Sequence, residues 1–306
     1  MCTNPRKFAF PLAFLPCGQC FECRMMKAND WATRLMAEAH TTPPVFFLTL
    51  TYSPENLPLK ADGMPTFNRQ HLKTVLRELT RVKPLRYYAI GEHGTKFERP
   101  HYHVITFGVD HYTIDNVLQK WWPYGYYTIG DHINARLMYV ALFHALKSAK
   151  YADEFCVMSR NPGIGCYFFC DVKKTDGRKK LDKNLRLSNS LLKQMFNQSV
   201  PGMIMLGNEK RLLPRYFIDL IGDAELKERI KETRRNFAMQ RINAKFGTAI
   251  DNFVDLDYFL SSLDKQRVKE WREELKEVNR RKTETFQKRH RKSRHIDSLN
   301  IDTYET

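Results

Sequence analysis

The chain has no long apolar run. No span approaches the 18 or so consecutive apolar residues that read as a membrane helix, so a membrane-spanning protein is excluded on pattern. It also lacks an internal repeat and a low-complexity tract, which argues against a solenoid or a linker-like polymer. Its start, MCTNPRKFAF, carries no apolar stretch ahead of a small-residue cleavage site, so no secretory signal is read there. Cysteine occurs seven times, an odd count, and four of the seven fall within the first 23 residues. That crowding does not resemble the even, spaced cysteines of a secreted disulfide framework, and the chain is read as intracellular. Acidic residues are few beside basic ones, 34 against 50, which leaves a formal charge of +16.

The charge points to a polyanionic partner. A basic surface attracts nucleic acid, and the release of condensed counterions favours the complex. Acidic lipid surfaces are the weaker option, and no membrane partner is expected. Hydrophobic residues make up 42% and aromatic residues 12% of the 306 positions. That is enough for a packed core, so disorder is excluded for most of the length.

Along the chain, residues 24–40 place Met25, Trp31, Leu35 and Ala39 at helical spacing. VFFLTLTY (45–52) is β-branched and aromatic between prolines and predicts a buried strand. Residues 68–82 carry Leu72, Val75, Leu76 and Leu79 on one helical face, with Asn68 as the cap. RYYAIGEHG (86–94) and HYHVITFG (101–108) predict two strands of a hairpin. A helix over 113–121, a strand over 124–130 and an amphipathic helix over 134–150 follow. The order predicts an α+β fold, an antiparallel sheet with flanking helices. After residue 160 the pattern weakens, NPGIGC (161–166) reads as a turn, and 171–183 as a basic loop. Residues 214–292 are helical in pattern but highly charged. The expected division is a cysteine-rich lead-in and helix (1–40), a catalytic domain (41–160) and a basic, partly helical C-terminal region (161–306).

The segment Arg99-Pro100-His101-Tyr102-His103 carries the sharpest chemistry. Side chains alternate along a strand, so His101 and His103 share one face and Tyr102 the other. Two imidazoles so placed can share a divalent metal, and Glu92 on the neighbouring strand can add a carboxylate. Such a set suits Mg2+ or Mn2+ bound to a phosphate. The bland alternative makes the histidines ordinary surface residues and pairs Glu92 with Arg99. Tyr139, on the 134–150 helix, offers a nucleophile for phosphoryl transfer, or else an aromatic facing the core. Lys147 lies on nearly the same helical face as Tyr139, and it and Arg99 are candidate contacts for DNA phosphate. Cys17, Cys20 and Cys23 have C-x2-C-x2-C spacing, with Cys2 available as a fourth ligand for a structural Zn2+. Alternatively they are a run of reduced thiols at a helix start. Cys156, Cys166 and Cys170 read as structural.

Several stretches, in order, carry a resemblance: PCGQCFECRMMKANDWATRLMAEA, FFLTLTYSPENLP, YYAIGEHGTKFERPHYHVITFG, the tyrosine helix, EFCVMSRNPGIG and LPRYF. With these, the chain resembles the replication initiators of gokushovirus-type microviruses, small single-stranded-DNA phages, within the HUH superfamily of rolling-circle endonucleases. The likeness covers residues 16 to about 217. It implies an HUH nuclease domain in which His101, His103 and Glu92 hold the metal and Tyr139 attacks. The implied product is a 5′-phosphotyrosine with a free 3′-OH that starts rolling-circle replication of phage DNA. The implied partners are single-stranded and supercoiled phage DNA, with host DNA polymerase and helicase, in the host bacterial cytoplasm. One position departs: similar initiators often carry a second tyrosine four residues on, where this chain has Phe143, so a single tyrosine acts or another such as Tyr151 assists. Two rival readings are a non-catalytic single-stranded-DNA-binding protein and an IS200-type HUH transposase. The TLTYSPENLP and MSRNPGIG segments favour the phage initiator over the transposase.

Overall fold

The computed structural model describes residues 6–8, 13–94, 99–131, 153–171, 186–196, 201–250 and scattered positions from 254 to 285. The expected helix over 134–150, and most of the basic loop over 171–183, lie outside the described residues.

Two compact units emerge, one of Lys27–Lys231 and one of Met1–Met26 with Glu232–Thr306. In the first, five strands form one antiparallel sheet. They are β3 (Val45–Tyr52), β4 (Arg86–His93), β5 (Pro100–Phe107), β6 (Gly125–Gly130) and β7 (Phe155–Met158), in the spatial order β6-β3-β5-β4-β7. The second unit holds the short pair β1 (Arg6–Phe8) and β2 (Ala13–Leu15). The expected α+β class, an antiparallel sheet with flanking helices, is the one observed.

One face of the sheet is closed by α2 (Arg69–Val82) and α3 (His111–Trp121). In α2 the predicted stripe Leu72, Val75, Leu76 and Leu79 is buried, and the Asn68 side chain accepts the backbone N–H of Gln70. In α3 the helix begins two residues earlier than the apolar pattern suggests. The cause is Asp110, whose carboxylate accepts the Thr113 N–H at 2.9 Å and caps the first turn. Leu48, Leu50, Tyr52, Tyr102 and Val104 of the sheet meet these helices in the main core.

The described residues cover the other face only in part. Helix α1 (Phe21–Thr41) lays Ala32 and Leu35 over Val45, Phe47, Tyr88, Ile90, Ile105 and Phe107. These are alternate residues of β3, β4 and β5 toward one end of the sheet. At the other end, the same alternation continues with Thr49, Thr51, Glu92, His101 and His103.

A buried ion pair fastens α1 to the sheet. Glu38 on α1 accepts Nε of Arg86, on β4, at 2.5 Å and the Gly165 backbone N–H at 2.6 Å. Both charged partners are almost fully enclosed. Gly165 has φ of +86°, and a Cβ there would come within 3.1 Å of the Arg34 carbonyl oxygen on α1, so the 161–165 turn closes on glycine.

Beyond residue 160, where the sequence pattern weakens, a second apolar cluster forms. It joins Ala37 of α1 to Phe169, Leu191, Ile204, Leu213, Phe217 and Ile230. Its elements are α4 (Cys166–Phe169), α5 (Asn189–Phe196), the hairpin β8 (Met203–Leu206) and β9 (Glu209–Leu212), α6 (Arg215–Asp219) and the start of α7 (Ala224–Phe246). The hairpin is absent from the sequence-based expectation. Its two-residue Gly207-Asn208 loop, with Gly207 at φ +59°, is a recognised turn signal. The charged C-terminal stretch is helical at the described positions, where Arg280 pairs with Glu277 and Glu284, and Arg281 with Glu277. Such i,i+3 and i,i+4 pairs suit a solvated helix. No helix among the described residues is long and apolar enough to cross a membrane.

Removing one partner of the Glu38–Arg86 pair leaves the other charge buried. Arg86→Ala is expected to lower unfolding free energy by about 3–5 kcal/mol, read from urea denaturation curves. A loss under about 1 kcal/mol, the range of an exposed pair, would remove this pair from the structural account.

Candidate functional site

Register builds the site. On β5, His101 stands opposite Glu92 of β4 and Thr51 of β3, and His103 stands opposite Ile90 and Thr49. Directly opposed residues of an antiparallel pair share a face, so the carboxylate and both imidazoles converge. Glu92 Oε1 lies 3.0 Å from His101 Nε2 and 3.2 Å from His103 Nε2. Ligand atoms of all three residues fall within 4.8 Å of one another.

The two histidines are oriented from behind. His101 Nδ1 is 3.1 Å from the carbonyl oxygen of Arg99. A carbonyl only accepts, so Nδ1 carries the hydrogen and the neutral ring presents its lone pair at Nε2, toward Glu92. His103 Nδ1 meets the Thr49 hydroxyl at 3.1 Å, which supports the same tautomer. With Nδ1 protonated, a hydrogen bond from His101 Nε2 to Glu92 requires an imidazolium; a cation between the three groups satisfies them without one. The spacing fits that reading. Donors in adjacent positions of an octahedron with bonds of about 2.1 Å stand about 3.0 Å apart.

Glu92 is 3% exposed. Burial pushes its carboxyl group upward, but the hydrogen bonds and charge of His101 and His103 outweigh burial and hold it well below the usual carboxylate range. An anionic Glu92 between imidazoles is a metal-ligand arrangement. The bland alternative, a surface glutamate paired with Arg99, does not describe it, because Arg99 reaches the site through its backbone carbonyl on His101.

Tyr102 takes the opposite face, as alternation predicts, and its hydroxyl meets that of Tyr52 at 2.8 Å in the main core. Burial raises the Tyr52 hydroxyl to about 12, and it lies on the far side of the sheet from the triad. Tyr139, Phe143, Lys147, Tyr151 and Cys2 lie outside the described residues. The thiols of Cys17, Cys20 and Cys23 converge in the other unit. Cys166 and Cys170 are buried in the second apolar cluster and Cys156 packs against the third, in line with structural roles.

Sequence reasoning missed two residues. Thr49 reads as one of several threonines in a strand, and only the β3–β5 register brings it to His103. Tyr126 lies on edge strand β6, opposite Thr51 and so in line with His101 and Glu92, with 72% of its surface exposed. Two interstrand spacings put its backbone about 10 Å from that of His101.

Comparison with known proteins agrees with this picture. Residues 45–145, a span that holds Glu92, His101, His103 and Tyr139, match the family model of the replication-associated protein ORF2. The chain is 28% identical over 188 residues to replication-associated protein ORF2 of Spiroplasma virus 4, covering 52% of this chain and 58% of that protein. It is 25% identical over 245 residues to replication-associated protein ORF4 of Chlamydia phage 1, covering 71% of this chain and 55% of that one. It is 30% identical over 168 residues to replication-associated protein VP4 of Bdellovibrio phage phiMH2K, covering 48% and 51%. The chain thus spans between about half and three-fifths of the curated relatives it matches. The resemblance read from the motifs is the one these comparisons return: similarity to replication-associated proteins of microviruses. No solved structure matches the chain.

The Thr49 hydroxyl is a clean target, because it touches His103 and no reacting atom. Thr49→Val is expected to weaken Mn2+ affinity by about 10-fold or more, the usual cost of losing an outer-shell partner. Isothermal titration calorimetry of the full chain measures it. Unchanged affinity would mean that the hydroxyl does not orient the imidazole.

Proposed function

We propose that this protein is a replication initiator of a small DNA phage, a metal-dependent endonuclease that nicks the phage origin through Tyr139 and starts rolling-circle replication. The observation that carries the proposal is the convergence of Glu92, His101 and His103 on one sheet face, in a chain similar to phage replication-associated proteins. The nuclease chemistry is assigned to the segment 41–160.

Glu92, His101 and His103 would hold Mg2+ or Mn2+, which polarises the scissile phosphate and offsets its charge. The three protein donors occupy one side of such an ion and leave the opposite side to phosphate oxygens. The exposed Tyr126 ring offers a surface on which a base can stack. Arg99 and Lys147, with the general basic surplus, contact phosphates. The hydroxyl of Tyr139 gives up its proton and bonds to phosphorus. The bond from phosphorus to the 3′ oxygen breaks, and that oxygen leaves as a 3′-OH after taking a proton. The products are a 5′-phosphotyrosine and a primer end that host polymerase extends, with host helicase opening the duplex, in the bacterial cytoplasm. With Phe143 four residues beyond Tyr139, one tyrosine serves the first nick, and release of the circle follows attack by a 3′-OH on the phosphotyrosine.

Non-catalytic binding of single-stranded DNA is the competing reading, favoured by the +16 charge and the exposed Tyr126. Oligonucleotides tiled across the cognate genome, with Mn2+ and mass spectrometry of the protein, separate the two. The wild-type chain is expected to form a covalent adduct mapped to Tyr139. Tyr139→Phe should stay folded, bind the same DNA and form no adduct. His101→Ala with His103→Ala should lose cleavage and keep non-specific affinity, since phosphate contacts come from many Lys and Arg. Cleavage at the wild-type rate by the double variant, or an adduct on another tyrosine, would overturn the assignment; DNA binding with no adduct under any condition would leave the binder.

A further inference from the structure

The three N-terminal thiols have no part in the nuclease chemistry, and their arrangement calls for its own ligand. We propose that Cys17, Cys20 and Cys23 hold a zinc ion as thiolates, with Cys2 as the fourth ligand, in a site separate from the Glu92–His101–His103 centre and of different chemistry.

Distance is the first argument. The sulfurs of all three cysteines lie within 4.8 Å of one another, and those of Cys17 and Cys23 are 4.0 Å apart. A disulfide needs a separation of about 2.05 Å. Two sulfurs on a tetrahedral zinc with bonds of about 2.3 Å stand about 3.8 Å apart. The observed pair therefore has zinc-site spacing and not disulfide spacing. Three polar thiols brought together, with Cys23 only 6% exposed, form a cluster that apolar packing does not explain.

The backbone supplies the second argument. The N–H groups of Gln19 and Cys20 both donate to Cys17 Sγ, each at 3.4 Å. Gly18, at φ +76°, makes the tight turn that aims them. Two amide donors on one sulfur favour negative charge there, as a metal-bound thiolate requires. Cys20 immediately precedes α1 and Cys23 lies in its first turn. The exposed N–H groups of a helix start favour anions.

The third argument concerns the missing ligand. Three thiolates leave one corner of a tetrahedron. In the β1–β2 pair Arg6 stands opposite Leu15, which is two residues ahead of Cys17. Cys2 precedes Arg6 by four residues, a length that can reach about 13 Å. A fourth thiol is therefore within chain reach of the cluster. Soft sulfur ligands in a closed tetrahedral set select zinc over the hard cations that suit Glu92. The ion would tie the β1–β2 pair to the first turn of α1.

The test uses the full chain purified without chelator. Native mass spectrometry and elemental analysis are expected to find about one zinc per chain, as a closed structural site requires. That zinc should persist in His101→Ala with His103→Ala and vanish in Cys17→Ser with Cys20→Ser. Replacement of zinc by Co2+ should give visible d–d bands of a tetrahedral site and near-ultraviolet thiolate charge transfer, with the charge-transfer intensity reduced in Cys2→Ser. Should the cysteine variants fail to fold, the wild-type chain still decides: a strong chelator should lower its Tm, and added Zn2+ should restore it. Absence of zinc together with absence of thiolate–cobalt bands overturns the proposal, as does iron with labile sulfide at these cysteines. An unchanged cobalt spectrum in Cys2→Ser overturns the fourth-ligand assignment. Adduct formation with Mn2+ is scored separately, so failure here and failure of the nuclease reading are distinguishable.

Discussion

The pairing register of β3, β5 and β4 is the constraint on which the site depends. Because side chains alternate along a strand, a slip of one residue in β5 would carry both histidines into the core and bring Tyr102 and Val104 out. The register is held where substitution is least tolerated. Tyr102, with Tyr52, Phe67, Trp122 and Phe155 around it, fills the core face of β5. On β4, next to Glu92, Gly91 lies under the Phe155 ring, where a Cβ would come within 2.6 Å of a ring carbon. That glycine is needed for close approach and not for an unusual backbone angle. Packing on the core side of the sheet therefore fixes chemistry on the opposite side.

Helix α1 sets how far the apolar cover of the second face extends. It lies over the apolar half of the β3–β5–β4 ladder and stops short of the polar half. Its position is set by few interactions of high consequence. Glu38 joins helix, sheet and the 161–165 turn through Arg86 and the Gly165 N–H, while Arg34 lies over the rings of Trp31 and Tyr216 and donates to the Ile164 carbonyl. Burial lowers the Arg34 guanidinium from its ordinary value, opposed by nearby groups that include Asp30. A buried ion pair such as Glu38–Arg86 adds little net stability over an apolar pair of equal volume. It does define one angle and one register for the helix, which an apolar contact leaves looser.

Much of this was legible in the sequence because it is local. The strand pattern of VFFLTLTY, the Leu72–Leu79 stripe with its Asn68 cap, and the face shared by His101 and His103 all follow from periods of 2 and 3.6 residues. Glu92 was legible because only a short loop separates its strand from the histidines, so antiparallel pairing was the natural expectation. What could not be read needs contacts between strands distant in sequence. Thr49 reaches His103 across 54 positions, and Tyr126 joins the same row only through β3. Strand β7 is four residues long and enters at the sheet edge from beyond the tyrosine segment, so no local pattern announced it. The Gly207-Asn208 hairpin carried a readable turn signal, masked by the polar residues of Glu209–Leu212.

The two donor sets differ in a way that bears on how one chain could load two metals. First-row affinities favour zinc at almost any nitrogen, oxygen or sulfur site over manganese or magnesium, so affinity alone does not keep zinc out of the Glu92 centre. Geometry and softness discriminate. With bonds of about 2.1 Å, tetrahedral donors stand about 3.4 Å apart and octahedral neighbours about 3.0 Å. The separations of 3.0 and 3.2 Å at Glu92 Oε1 lie on the octahedral side of that divide. The sulfur separation of 4.0 Å between Cys17 and Cys23 suits the longer zinc–thiolate bond. A rigid sheet resists the expansion that a tetrahedral ion would ask of the first set, because the donors are held by paired strands and the two imidazoles by partners behind them. The turn and first helical residues that carry the thiols adjust more easily. The same backbone rigidity that fixes the histidine register thus biases the choice of ion, without any group that recognises the metal directly.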